Sequence, residues 1–186
     1  MLKVEKEQTS MVATLSQMLE LGTKMPDFEL ENVLTQKNYS TKERLSGRVG
    51  TLVMFICNHC PYVKHLMPLL SQMVNQWADQ GLCVLAINSN DVEKYPEDAP
   101  DKMQYFAHDN KFRFPYLFDE TQEVAKNFHA ACTPDFYLFD KEDSLFYRGR
   151  FDDSRPNGEI KVSGKDLERA VMFLFSEAPA PIEQLP

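Results

Sequence analysis

Thr51-Leu52-Val53-Met54-Phe55-Ile56-Cys57-Asn58-His59-Cys60-Pro61 is the stretch whose reading decides the fold. Thr51 to Ile56 is an uncharged, essentially apolar run of strand length, the pattern of a central parallel strand covered on both faces. Beyond Pro61, the residues Val63, Leu66, Met67, Leu70, Met73, Val74 and Trp77 recur at helical spacing as far as Gly81. Pro61 falls in the first turn, where its missing N–H costs nothing. A second apolar run, Leu82 to Ile87, follows. Strand, helix and strand make a βαβ unit with a right-handed crossover, so the sheet is at least partly parallel.

Outward from this unit the pattern stays that of one domain. Upstream, Thr9 to Leu21 carries apolar side chains at helical period, and Phe28–Leu30 with Lys37–Tyr39 reads as a short hairpin. Ser40 is placed to cap a brief helix ending near Gly47. Downstream, Asn90 to Lys111 is polar and acidic with Pro96 and Pro100 inside it. It reads as a solvated decoration with a short helix at Asp101–His108. A strand at Tyr116–Phe118, a helix at Glu120–Phe128, strands at Phe136–Phe139 and Leu145–Phe151 around the turn Asp140–Asp143, and a closing helix at Lys165–Phe175 complete the chain. The expectation is a single α/β domain over 1–186, with its core at about 22–175, a central mixed β-sheet flanked by helices, and an N-terminal extension and hairpin.

Composition narrows the function classes. With 186 residues, 43% hydrophobic and 26% charged, the chain is long and apolar enough for an ordinary core. Twenty basic against 28 acidic residues give a net charge of −8, which repels phosphate backbones and anionic lipid, so neither nucleic acid nor membrane is expected as a partner. No segment reaches the roughly 18 apolar residues of a membrane span. Met1–Ser10 lacks the basic-then-apolar order of a signal peptide, and a cytoplasmic location is expected.

Four cysteines are too few for a disulfide-stapled scaffold, and two of them, Cys57 and Cys60, stand at C-x-x-C spacing between a strand and a helix. A helix N-terminus stabilises a thiolate through its unpaired N–H groups and dipole. Two intervening residues let the second thiol resolve a mixed disulfide formed on the first. Cys57 is expected to be the attacking, more exposed and more acidic thiol, with Cys60 resolving. His59, between them, is placed to stabilise the Cys57 thiolate. Cys57, His59, Cys60 and His65 are also zinc-ligand types, but a second regularly spaced knuckle is missing, so neither metal nor cofactor is expected. Cys83, inside an apolar strand, reads as an inert buried thiol, and Cys132, just before Thr133-Pro134, as a buried structural one, with a third redox thiol as its alternative.

Taken together, the apolar strand, Cys57–Cys60 opening a helix, and the Thr133-Pro134 step entering the strand Asp135–Asp140 resemble the thioredoxin superfamily. The specific likeness is to its peroxiredoxin-like AhpC/TSA branch, in a version with a thioredoxin-style C-x-x-C, and it covers about Gly22 to Phe175. The resemblance implies a thioredoxin fold, a cis Pro134 beside the cysteines, and a substrate groove lined by Thr133 and Pro134. It implies a thiol-disulfide oxidoreductase acting on a protein or small-molecule disulfide, with a thiol reductant or oxidant as redox partner. Cys60-Pro61 also resembles the peroxidatic cysteine and proline of peroxiredoxins. The threonine and arginine that activate peroxide there correspond to Cys57 and about Pro134 here. A peroxidase using Cys60 is therefore the alternative enzyme, and a redox-sensing or binding module without turnover the non-enzymatic one. The buried acid of thioredoxins would fall near Thr51, which leaves the pair no carboxylate expected from sequence.

Overall fold

The structure is a computed structural model that describes residues 19–43 and 47–185. The helix expected over Thr9–Leu21 falls, as far as residue 18, outside the described residues. So does the part of the expected helix after Ser40 that covers residues 44–46. The described strands are β1 (Glu29–Asn32), β2 (Lys37–Ser40), β3 (Gly50–Phe55), β4 (Leu82–Asn88), β5 (Tyr116–Phe118), β6 (Asp135–Asp140) and β7 (Leu145–Gly149). The described α-helices are α1 (Pro61–Asp79), α2 (Pro100–Asp109), α3 (Glu123–Asn127) and α4 (Lys165–Phe175).

One mixed sheet runs β2-β1-β5-β4-β3-β6-β7. β3 pairs in parallel with β4, β4 in parallel with β5, and β3 antiparallel with β6. The run from residue 51 is thus the central strand it reads as, buried at every position. Its side chains alternate between two apolar layers, as a pleated strand covered on both faces must. Leu52, Met54 and Ile56 join Val63, Leu66, Leu70, Val74 and Trp77 of α1 and Leu167, Val171 and Leu174 of α4. Val53 and Phe55 face Phe28, Val124, Phe128 and Tyr137 on the other side. This is the thioredoxin fold, α/β with helices on both faces of a mixed sheet. Gly81, at φ +98°, makes the left-handed turn that returns α1 into β4.

Among the boundaries that differ from the sequence pattern, those of α3 and β7 have local reasons. α3 begins at Glu123 rather than Glu120, because Gln122 is left-handed at φ 60° and the Asp119 carboxylate accepts the N–H groups of Val124 and Ala125. β7 stops at Gly149, beyond which the Arg150 N–H donates to the carbonyl of Leu185 in the tail. Among the described residues no helix is long and apolar enough to cross a membrane.

The loop that carries Thr133 and Pro134 is anchored from below. Asp135 accepts hydrogen bonds from Arg148 at 3.0 Å and from the Tyr137 hydroxyl at 2.9 Å, and Arg148 also donates to the His129 carbonyl at 2.9 Å. The Arg148 guanidinium lies over the Tyr137 ring, 4.5 Å from its centre. Both ions are buried, and burial pushes the Asp135 carboxyl above its ordinary range against the pull of Arg148. Arg148→Met should therefore lower the unfolding free energy by about 3–5 kcal/mol at neutral pH, because a buried carboxylate loses its counter-ion. Without Arg148 the folded-state pKa of Asp135 rises further, so stability is lost as pH rises and the deficit should shrink towards pH 4.5. Urea unfolding at the two pH values checks both the size and the sign.

Candidate active site

β3 ends at Phe55, and Ile56 extends the sheet by one N–H bond to Ile87 at 2.9 Å before the chain turns into Cys57. Cys60 is the N-cap of α1 and Pro61 its first residue, with the Lys64 N–H returning to the Cys60 carbonyl at 3.0 Å. Opposite lies the Thr133-Pro134 bond, which is cis. The Cys57 Sγ is 3.2 Å from the Thr133 hydroxyl, and the Cys60 thiol donates to the Thr133 carbonyl at 3.3 Å. The structure thus brings Cys57, Cys60, Pro61, Thr133 and Pro134 together.

The expected ranking of the two thiols is reversed. Cys57 is only 1% exposed, whereas Cys60 is half-buried. The dipole argument placed the field on the first cysteine, but the helix starts only at Pro61, so its first-turn N–H groups converge on Cys60 instead. The hydrogen bond from the Cys57 thiol, with backbone N–H groups of Val63 and Tyr62, draws the Cys60 thiol below its ordinary range against its burial. The same shared hydrogen bond, then burial and the charge of Asp98, push the Cys57 thiol up.

Cys132 is exposed rather than buried, since the loop before Thr133 turns it outward. Cys83 is half-buried, its Sγ 3.6 Å from the Tyr39 hydroxyl. His65 stays apart from the pair, its Nε2 3.1 Å from the Ser154 hydroxyl.

A further correction concerns the segment read as solvated decoration. Asp98, inside it, is wholly buried and reaches the Cys57–Cys60 turn. Its Oδ1 accepts the N–H groups of Asn58 at 2.7 Å and His59 at 3.3 Å. Its Oδ2 meets the His59 Nδ1 at 2.5 Å and accepts the Asn90 amide at 2.8 Å. Tyr95 stacks flat on the His59 ring, 4.3 Å between centres at 7°. Asn58 donates to the Glu97 carbonyl at 2.8 Å and accepts from the Tyr116 hydroxyl at 3.0 Å. Burial holds that phenol well above its ordinary pKa, so it remains a donor. Sequence reasoning missed Asp98, Asn90, Tyr95 and Tyr116. His59, expected against Cys57, is held primarily by Asp98.

Donor atoms of Cys57, His59 and Asp98 lie within 4.8 Å of one another, a metal-capable set. Both Asp98 oxygens already take two protein hydrogen bonds, which a cation would have to displace.

The AhpC/TSA family model matches residues 21–148, which contain the sheet core, both cysteines of the turn and the cis proline. The chain belongs to the AhpC/TSA family. Among solved structures, this family member is similar to an uncharacterized conserved protein from Geobacillus kaustophilus. The two are 46% identical with a TM-score of 0.88, over 92% of this chain and 90% of that one. A hypothetical protein from Sinorhizobium meliloti is similar at 38% identity and TM-score 0.88, with 92% of each chain covered. The thiol-disulfide oxidoreductase YkuV of Bacillus subtilis is 27% identical over 106 residues, spanning 56% of this chain and 69% of that protein.

The thiol asymmetry is measurable in this AhpC/TSA family member. Iodoacetamide at about pH 6 should modify Cys60 first, about tenfold faster than an ordinary exposed thiol, after the lower nucleophilicity of an acidic thiolate is allowed for. Its rate should level off at a lower pH than that of an ordinary thiol, and Cys57 should react last. Peptide mapping after timed quenches checks the order, and early labelling of Cys57 would contradict it.

Proposed function

We propose that the protein is a thiol-disulfide oxidoreductase whose redox centre is the Cys57-Asn58-His59-Cys60 turn. The observation that carries this is the apposition of two hydrogen-bonded thiols, at the N-terminus of α1, to the carbonyl and hydroxyl of Thr133 across the cis Pro134 step. Membership of the AhpC/TSA family and the likeness to YkuV support thiol redox chemistry in general. In this function the half-buried, acidic Cys60 opens a substrate disulfide and the buried Cys57 resolves the mixed disulfide, the converse of the order expected from spacing. Thr133 and Pro134 flank the incoming sulfur and leave open backbone for an extended disulfide-bearing segment. The redox partner is a thiol reductant or oxidant, and the chemistry calls on neither cofactor nor metal.

A peroxidase function is the second reading, favoured by the acidic Cys60 followed by Pro61. Against it, the position of the peroxide-activating threonine is Cys57 and that of the arginine is about Pro134. The same geometry that makes Cys60 a good attacker of sulfur therefore lacks the groups that polarise a peroxide.

Reduced protein should turn over a small disulfide such as hydroxyethyl disulfide with dithiothreitol as donor. Cys60→Ser should lose activity by roughly 10³-fold or more, and Cys57→Ser should stall as a mixed disulfide on Cys60. Trapping on Cys57 in Cys60→Ser would invert the roles while keeping the redox pair. Hydrogen peroxide turnover outrunning disulfide turnover would replace the oxidoreductase by the peroxidase.

A further inference from the structure

We propose that His59 and Asp98 form a proton-accepting pair that activates the buried thiol Cys57 for the resolving step. The proposal rests on the oxidoreductase function and deepens it. It starts from the carboxylate, which stands on the Pro96–Asp98 turn between β4 and α2 rather than in the strand before the cysteines. A wholly buried carboxylate needs hydrogen bonds from every side, and Asp98 has them from Asn58, His59 and Asn90. The bond to Nδ1 fixes the imidazole orientation and leaves Nε2 as the nitrogen that can take a proton. Stacking on Tyr95 holds the ring in that plane.

The pair stands close to the thiol that needs it. One ring nitrogen of His59 and one carboxylate oxygen of Asp98 lie within 4.8 Å of the Cys57 Sγ, a span that one bridging water can close. Cys57 is 1% exposed, whereas the His59 side chain is 26% exposed and can pass a proton on to solvent. The groups that face the pair are Cys57 and Cys60 on the turn, Tyr95 on the ring face with Lys94 over the Tyr95 ring, Asn90 on the carboxylate, and Tyr116 reaching Asn58 from β5.

A substrate R–S–S–R′ is reduced in two exchanges. The Cys60 thiolate attacks one sulfur, the S–S bond breaks, and R′S⁻ leaves to be protonated by solvent. Cys57 then gives its proton to the imidazole, whose positive charge Asp98 stabilises, and the Cys57 sulfur attacks the Cys60 sulfur. The Cys57–Cys60 bond forms as the Cys60–SR bond breaks, and RS⁻ leaves and recovers the proton from the imidazolium. The protein has lost two electrons to the substrate, which departs as two thiols.

Asp98 and His59 could instead act on Cys57 only through charge, and the two roles predict opposite signs. The Asp98 charge disfavours the Cys57 thiolate, so on charge alone Asp98→Asn would make Cys57 more acidic and resolution faster. As half of a proton-accepting pair, its loss slows resolution.

The test is rapid mixing of the full reduced chain with hydroxyethyl disulfide, acid quenching, and peptide mapping of the Cys60 mixed disulfide and the Cys57–Cys60 disulfide, from about pH 6.5 to about pH 9. In Asp98→Asn and in His59→Ala the mixed disulfide should accumulate, with resolution slowed by roughly tenfold or more near neutrality and the deficit narrowing as pH rises. Resolution should be slowed by a larger factor than formation of the mixed disulfide, and added imidazole should restore resolution in His59→Ala, which loss of packing would not allow. Should Asp98→Asn fail to fold, His59→Ala, cut from a partly exposed ring, carries the test. Resolution that is unchanged or faster, or that imidazole leaves slow, overturns the pair. Absence of any Cys57–Cys60 disulfide in the wild-type protein would overturn the oxidoreductase function itself.

Discussion

The site depends on how one buried carboxylate is satisfied. Removing an ionised carboxylate from water costs several kcal/mol even after relaxation, so Asp98 can be wholly buried only where donors are already aimed at it. Those donors are the N–H groups and ring of the active-site turn itself, together with Asn90. The requirement works in both directions. The turn is held open at the end of β3 because its polar groups are used by Asp98, and the segment between β4 and α2 is drawn across the turn because all the hydrogen bonds to its buried acid but the one from Asn90 come from there. Tyr95 on the imidazole and Tyr116 on Asn58 then fall into contact, and the turn is tied to β5 as well as to the helix it opens.

The second determinant is the start of α1. Thiolate stabilisation by a helix falls off within the first turn, so moving the start by a few residues decides which sulfur benefits. Here the N-cap is Cys60, and the preceding sulfur is buried against Thr133 and the Asp98 charge. One cysteine is left reachable and acidic and the other enclosed and protonated. That division suits a two-step exchange in which attack needs access and resolution needs a proton acceptor. The Arg148–Asp135 pair beneath the cis proline supplies the other wall, holding the backbone that faces both sulfurs.

The architecture was legible in the sequence because it follows from runs of apolar residues whose periods are unambiguous. Thr51–Ile56, the helical repeat through Trp77 and Leu82–Ile87 all became the elements they suggested, and the Thr133-Pro134 step lies where the family resemblance placed it. Less legible was anything set by one atom's neighbours. Asp98 stands among Asp91, Glu93, Glu97 and Asp101, and nothing local separates the one buried acid from the exposed ones. Only its place after Pro96, in a tight turn ahead of a second proline, sets it apart, and that signals a turn rather than a site. The thiol ranking failed for a related reason: C-x-x-C spacing gives the pair but not the residue at which helical hydrogen bonding starts. Cys132, expected buried, is exposed, and nothing in the residues around it marks which way its side chain turns.

The central claim is that Cys57 and Cys60 are one reversible two-electron couple. It is tested most directly by equilibrating the protein across dithiothreitol redox buffers, alkylating at each point, and mapping the products by mass spectrometry. The account predicts a single two-electron transition in which only Cys57 and Cys60 exchange free thiols for one shared disulfide, with Cys83 and Cys132 alkylated throughout. Pairing of Cys57 or Cys60 with Cys132, or no disulfide under the most oxidising buffer, would contradict it.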